Sequence, residues 1–373
     1  MIIKSLSASF FRNFEQVDIQ FNERLNIIIG DNGQGKTNII EALYLLTEGE
    51  SFRYSKNENL IQLGQNASFI HTNILNEDLD YKLSMKLTSS KKDILINNKV
   101  TNINRLTRFS SVLFSPESLN IIKESSDERR QLVDQLVAQT ALNGVDTIRD
   151  YRKVLKTRNR LLKDISEEKI DYRMGLDTLE SLNPAFLRLA AELTYLRLQA
   201  LEDIRPQVEM ALNNIHSSTS VKFDFEYVFS DQNHRNSDLE KLLNFMQNRM
   251  SELQKAELKS GVSLVGPQKH DVIFLYNGND SRFYCSQGQQ RSIILAYKMA
   301  QIVYHQKVHG FYPLLLLDDV LSELDLSKQE SLISTLNQTE TQTFVTTTDV
   351  SLLSKLSMNK ASVFKIKNGQ VVI

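Results

Sequence analysis

Apolar residues near the start of the chain alternate with polar ones in the two-residue period of strands. Ile3, Leu6, Ala8 and Phe10 form one set, and Val17, Ile19 and Phe21 form the next. Leu25–Ile29 is instead a short, nearly continuous apolar run closed by a glycine, the pattern of a central strand buried on both faces. Residues 39–46 then take up the period of a helix, and alternation returns across 81–100 with Asn97-Asn98 as a hairpin turn.

From about 115 to 248 the pattern changes to long, charged, helical segments. Residues 151–163 (YRKVLKTRNRLLK) are basic and amphipathic. Asn183-Pro184 reads as an N-cap with proline at the first helical position. The predicted helix carries Phe186, Ala190, Leu193, Leu196 and Ala200 at steps of three or four, and Pro206 closes it. Such stripes are expected to be helix-on-helix core. Strands and turns resume after Leu264, with apolar blocks at 293–300 (helix), 314–317 (buried strand) and 344–348 (buried strand). Near the end, Asn368-Gly369 lies between alternating runs, a strong two-residue hairpin signal. The expected organisation is an α/β domain built from both ends of the chain, 1–114 and 249–373, interrupted by a mainly helical inserted subdomain at 115–248.

Composition narrows this only a little. The 373 residues are 41% hydrophobic and 24% charged, ordinary for a folded multi-domain chain. No apolar run is long enough to span a membrane, and the first residues are too polar for a signal peptide, so the expected location is cytoplasmic. A single cysteine, Cys285, excludes an internal disulfide and a cysteine-based zinc site. The net charge of −1 neither requires nor excludes nucleic acid, since a binder can gather its cations on one face.

Chemistry enters at Gly30-Asp31-Asn32-Gly33-Gln34-Gly35-Lys36-Thr37, which satisfies G-x-x-x-x-G-K-S/T at every fixed position, between a predicted strand and a predicted helix. The glycines allow backbone N–H groups to turn inward and cradle phosphate at the helix N-terminus. Lys36 supplies a cation for the β- and γ-phosphates, and the Thr37 hydroxyl is a ligand for Mg2+. Such a loop needs a carboxylate on a neighbouring strand. The segment 314–317 ends in Asp318-Asp319, placing Asp318 to hold Mg2+ and Asp319 to orient the attacking water. A buried strand ending in two acids is by itself more often structural; the P-loop gives it a catalytic reading.

Ser286-Gln287-Gly288-Gln289-Gln290-Arg291 opens a helix just before that strand. Alone it describes an ordinary capped helix, but a serine there also offers its hydroxyl and the first amides to an anion. Its position matches the signature segment of ABC-type ATPases, and Ser322-Glu323-Leu324-Asp325 resembles their D-loop.

Together these segments resemble the RecF family of bacterial recombination and repair ATPases, relatives of SMC and Rad50 proteins. Phe11-Arg12-Asn13-Phe14 resembles the family's F-R-N-F/Y. Phe114-Ser115-Pro116-Glu117, Glu128-Arg129-Arg130 and Asp134 resemble its FSPED and ERRRFLD stretch. Tyr151, Leu155, Arg158-Asn159 and Leu162-Lys163 match its Y-x-x-x-L-x-x-R-N-x-L-L-K helix. The paired glutamines of the signature and the paired aspartates are the distinguishing choices, since transporter ATPases read LSGGQ and DE. Three departures stand out. Gly266-Pro267-Gln268-Lys269-His270-Asp271 replaces G-P-H-R-D-D. Thr346-Thr347-Thr348-Asp349 stands where transporters carry a switch histidine. Asp319 is shorter than the usual glutamate, which predicts slow hydrolysis.

The resemblance implies an ABC-type P-loop ATPase head with a mixed sheet and flanking helices, with ATP and Mg2+ as cofactors. It implies nucleotide contacts from residues 30–37, Arg12 and Asn13, and, in a partner subunit, from Ser286, Gly288, Gln289 and Gln290. It further implies an ATP-dependent homodimer that clamps duplex DNA near single-strand gaps and helps load the RecA recombinase with RecO- and RecR-type partners. Weak, DNA-stimulated hydrolysis would reset it. Arg105, Arg108, Arg129, Arg130, Arg152, Lys153, Lys156, Arg158 and Arg160 are candidate DNA contacts as a group, though each taken singly reads better as a solvated helix face. The alternatives are a transporter ATPase subunit, which lacks support in the signature, and a short SMC- or Rad50-like tether. Two helices of about 50 residues reach only about 75 Å, short for a tether.

Overall fold

The computed structural model describes residues 1–372 apart from 54, 103–105, 107–108, 217–219, 231, 236, 339 and 349–360. Arg105, Arg108 and Asp349 therefore lie outside the described residues. The first segment runs β1 (Ile2–Phe11), β2 (Phe14–Gln20), β3 (Leu25–Ile29), α1 (Lys36–Glu48) and α2 (Asn57–Leu60). It continues through β4 (Ala67–Asn76), β5 (Leu79–Thr88), β6 (Lys92–Ile96), β7 (Lys99–Thr101) and β8 (Ser111–Phe114). Next come α3 (Ser126–Thr140), α4 (Gly144–Ser166), α5 (Tyr172–Ile215), β9 (Phe223–Phe229), β10 (Gln232–Asn233) and α6 (Leu239–Ser260). Then follow β11 (Asp271–Tyr276), β12 (Asn279–Asp280), α7 (Ser281–Tyr284) and α8 (Gln287–His309). The last segment holds β13 (Leu314–Asp318), α9 (Leu326–Gln338), β14 (Thr343–Thr347), β15 (Ala361–Lys367) and β16 (Gln370–Val372).

Two compact units result, 1–119 with 291–373, and 120–290. In the first, a sheet of order β16-β15-β3-β14-β13-β8 is parallel except for β16. An antiparallel sheet of order β2-β1-β4-β5-β6-β7 faces it. Helix α1 lies between them, packing on β13 and β14 and on β4 and β5. A helix covered on both sides must be apolar nearly all round, and residues 39–47 are buried without a break. Strands β13 and β14 are likewise buried throughout, as expected of parallel strands covered on both faces.

The second unit holds α3 to α7 and a sheet of order β10-β9-β11-β12. The boundary expected at 248/249 falls inside α6, and the observed one is at 290/291. Pairing is the cause. The alternating FDFEYVF of β9 lies antiparallel to β11, which draws residues 271–280 into this unit.

Helix α5 also differs from expectation. Its cap is Asp171, whose side chain accepts from the Met174 N–H at 2.9 Å, and the helix runs 44 residues through both Pro184 and Pro206. Asn183 is not a cap; its Oδ1 accepts from Arg158 Nε at 3.0 Å. An interior proline costs about 3 kcal/mol. Burial of Phe186, Ala190, Leu193, Ile204 and Val208, on a helix packed against α3, α4, α6 and β9, outweighs that.

Candidate functional site

The P-loop leaves the C-terminal end of β3 and enters α1. Gly35 caps α1 with φ 115°, a left-handed conformation open to glycine, and an added Cβ would sit 2.9 Å from both side-chain polar atoms of Asn13. Lys36 is buried, and its Nζ donates to the carbonyls of Gly30 (2.8 Å) and Asp31 (3.0 Å). Asp31, Asn32 and Gly33 form the exposed crest.

The acidic strand β13 is not beside β3. Strand β14 lies between them, with Ile28, Thr346 and Asp318 in register across the three strands. Thr346 fills the gap chemically: its hydroxyl donates to Asp318 Oδ1 (2.8 Å) and accepts from the Asp319 N–H (2.9 Å). Thr37 lies near enough to favour the ionised Asp318 carboxyl, so the two residues expected to hold Mg2+ are neighbours at this edge. Burial raises the Asp318 pKa, opposed by the hydrogen bond from Thr346, by the nearby Thr37 and by the charge of Arg53.

Asp319 is left-handed (φ 52°), a conformation that aspartate tolerates better than most residues, and its Oδ1 is buried without a partner. A buried polar atom without a protein partner is expected where a ligand or water completes the site. Among the described residues no three His, Cys, Asp or Glu side chains gather as a cation cage. One carboxylate, one hydroxyl and a phosphate-bearing substrate is the donor set that Mg2+ uses, so the residues fit that ion.

Several neighbours escaped the sequence reading. Arg12 does not reach out from its turn. Its Nε and Nη2 form a bidentate pair with the fully buried Glu41 of α1 (2.9 and 2.7 Å), and it also donates to Ser55 Oγ and the Asn59 carbonyl. Four of its five N–H groups are used within the unit, so the phosphate contact expected of Arg12 would need one of these bonds to exchange. Asn13 donates to the Gln34 carbonyl (3.0 Å) and accepts from Asn38 (2.7 Å). Arg53 donates to Asn38 Oδ1 (3.3 Å). Glu41 and Arg53 carried no motif signal, and Thr346 was marked only by its place at the switch position; each matters through a fold contact.

In the second unit, Ser286 and Gln289 form a reciprocal capping box. The Ser286 N–H donates to Gln289 Oε1 (2.8 Å) and the Gln289 N–H to Ser286 Oγ (3.3 Å). Ser286 is exposed and Gly288 half-buried. Gln290 instead turns inward, is buried, and donates to the Ser281 carbonyl at 2.7 Å, so its amide braces the loop and does not face outward. In the first unit, Arg291 ties the D-loop by donating to the Glu323 carbonyl (2.8 Å) and pairing with its carboxylate (3.1 Å).

The basic candidates divide sharply. Arg129 pairs bidentately with Asp271 (2.8 and 2.7 Å), Arg130 with Asp127 and the His270 carbonyl, and Arg158 with Glu257 (3.1 and 2.6 Å). All three are buried and are structural, contrary to their reading as DNA contacts. Arg152, Lys153, Lys156 and Arg160 remain exposed, with 152, 156 and 160 on one stripe of α4. His270 is buried, takes a hydrogen bond with Tyr227 through Nδ1 (3.0 Å), and stacks on Phe229.

A P-loop and a carboxylate delivered by parallel strands, an antiparallel sheet over the P-loop helix, and an insertion before a capped signature helix define the head of an ABC-type ATPase. The sequence matches the RecF/RecN/SMC N terminal domain over residues 2–371. It is 36% identical over 386 residues to the DNA replication and repair protein RecF of Bacillus velezensis, covering all of both chains. Two solved structures are similar throughout. The recombination mediator protein RecF-ATPrS in the RecFOR pathway superposes with TM-score 0.86 at 29% identity, covering 99% of this chain and 97% of that one. The RecF-ATP form gives 0.84 at 30%, covering 100% and 97%. The chain belongs to the RecF family. Among the described residues no helix is long and apolar enough to cross a membrane.

Proposed function

We propose that this chain is an ATP-dependent DNA-binding switch of recombinational repair. The observation that carries the reading is the P-loop lysine, Lys36, held at the end of β3, with Asp318 fixed by Thr346 at the end of β13, one strand removed in the same parallel sheet. Lys36 exchanges its bonds to the Gly30 and Asp31 carbonyls for the β- and γ-phosphates of ATP, a charge-assisted replacement. The P-loop amides around Gly33 and Gly35 cradle the same oxygens. Mg2+, held by the Thr37 hydroxyl and Asp318, would neutralise charge on the phosphate oxygens. Asp319 orients the water that attacks the γ-phosphorus, giving ADP and phosphate. Its short side chain, in a left-handed backbone, supports slow turnover.

Closure comes from a second copy, whose Ser286, Gly288 and Gln289 would cover the γ-phosphate, so that ATP joins the two heads and hydrolysis releases them. The exposed stripe of Arg152, Lys153, Lys156 and Arg160 suits duplex phosphates without sequence preference. Relatives named as a DNA replication and repair protein and as a recombination mediator in the RecFOR pathway support a role in DNA repair, and gaps in duplex DNA are the place of action in this reading. The pathway name supports RecO- and RecR-type partners, and in this reading the outcome is RecA loading.

The test is binding to a gapped duplex with ATP, with ADP and for Lys36→Met, alongside Mg2+-dependent hydrolysis with and without DNA. Binding that needs ATP and is lost in Lys36→Met, with hydrolysis raised by DNA, is expected. Binding equal in ATP and ADP would overturn the switch.

A further inference from the structure

Two segments far apart in sequence converge on one peptide of the P-loop. The Gln34 carbonyl accepts from Asn13 Nδ2 (3.0 Å) and from the Gly369 N–H (3.1 Å), and Gln34 Oε1 accepts from the Asn368 N–H (2.5 Å). Asn13 belongs to the turn between β1 and β2 of the antiparallel sheet. Asn368-Gly369 is the turn between β15 and β16 of the parallel sheet. Their fit is close: Gly369 has φ 72°, and a Cβ there would lie 2.5 Å from the Asn13 carbonyl oxygen.

In a trans peptide the C=O and the following N–H point in opposite directions, and the plane turns as one body. Two donors fixing the Gln34 carbonyl on one side therefore fix the Gly35 N–H on the other. That side is the one a phosphate must occupy at the start of α1. Glycine at 35, with φ 115°, has little intrinsic preference to hold this orientation. The restraint has to come from outside the loop.

We propose that Asn13 and the Asn368-Gly369 turn are positioning residues for nucleotide binding, acting as a clasp that holds the Gly35 N–H toward the phosphates. The proposal rests on the P-loop being the nucleotide site. It gives Asn13 a role through Gln34 with no contact to the nucleoside, and it gives the last hairpin a role in binding.

The test uses the full chain, titrated calorimetrically with ATP and with inorganic tripolyphosphate in Mg2+, for wild type, Asn13→Ala and Asn13→Asp. Tripolyphosphate carries the phosphates without base or ribose. Asn13→Ala is expected to weaken both ligands by about tenfold, the loss of one hydrogen bond of about 1.4 kcal/mol. Asn13→Asp, equal in size but presenting an acceptor to the Gln34 carbonyl, weakens both further, while the melting temperature without ligand falls by much less than the loss of affinity would require. Binding of Asn13→Asp at wild-type strength would overturn the clasp. So would a loss confined to ATP, which would mean direct contact with the nucleoside, or a loss matched by lower ligand-free stability. A wild type that binds neither ligand would remove the nucleotide-site reading itself, and the clasp with it.

Discussion

The Thr346 hydroxyl donates to Asp318 Oδ1 at 2.8 Å while accepting the Asp319 N–H, so one side chain of β14 sets both acids of β13. Thr346→Val keeps the shape and strands both partners. It is expected to cost about 1–3 kcal/mol in urea unfolding, the penalty for unsatisfied buried groups, and to slow hydrolysis. Thr346→Ser restores both. A valine variant with wild-type turnover would show that Thr346 does not set the carboxylates.

Burial raises the Asp318 pKa, so the folded protein resists ionising it. A raised folded pKa contributes stability below the unfolded value near 3.9, and this is lost as pH rises through the folded value. Asp318→Asn is therefore expected to melt higher than wild type at neutral pH without nucleotide, and to lose Mg2+-dependent hydrolysis. The gain shrinks as the pH approaches about 4. Melting curves across pH 4–8 check the sign.

Arg158 and Glu257 form a bidentate pair with both side chains about 1% exposed, completed by Ser263 and Asn183. Arg158→Met leaves the Glu257 carboxylate buried alone, at a cost of about 3–5 kcal/mol. Replacing both with apolar residues recovers most of that. A double-mutant cycle measures the coupling, and additive losses would contradict it.

Acid is expected to loosen the protein before its carboxylates titrate. Burial lowers His270 well below the ordinary value and His305 to about 4, with His309 adding to the latter. Both stay neutral when folded but take protons in the unfolded chain below about 6.5. Their contribution is complete above that pH and is lost progressively as pH falls, toward about 4 for His305. Unfolding midpoints from pH 7 to 5 should fall, and His305→Gln should flatten part of the slope.

The phosphate loop, both acids and the hairpins at Asn97-Asn98 and Asn368-Gly369 were legible because each is a local pattern with a local physical cause. What those elements touch was not. Gln34 meets Asn368 across 334 positions only because β15 lies beside β3, and β14 separates β3 from β13 for the same topological reason. A basic helix pattern marks Arg158 and Arg160 alike, yet Glu257 buries the first and solvent keeps the second. Pro184 and Pro206 mark boundaries in an isolated helix; packing on both sides carried α5 through them.

The central claim is that ATP joins two heads, and light scattering tests it most directly. With ATP and Mg2+ the protein should be a dimer, with ADP a monomer, and Lys36→Met a monomer throughout. A monomer indifferent to ATP would contradict the account.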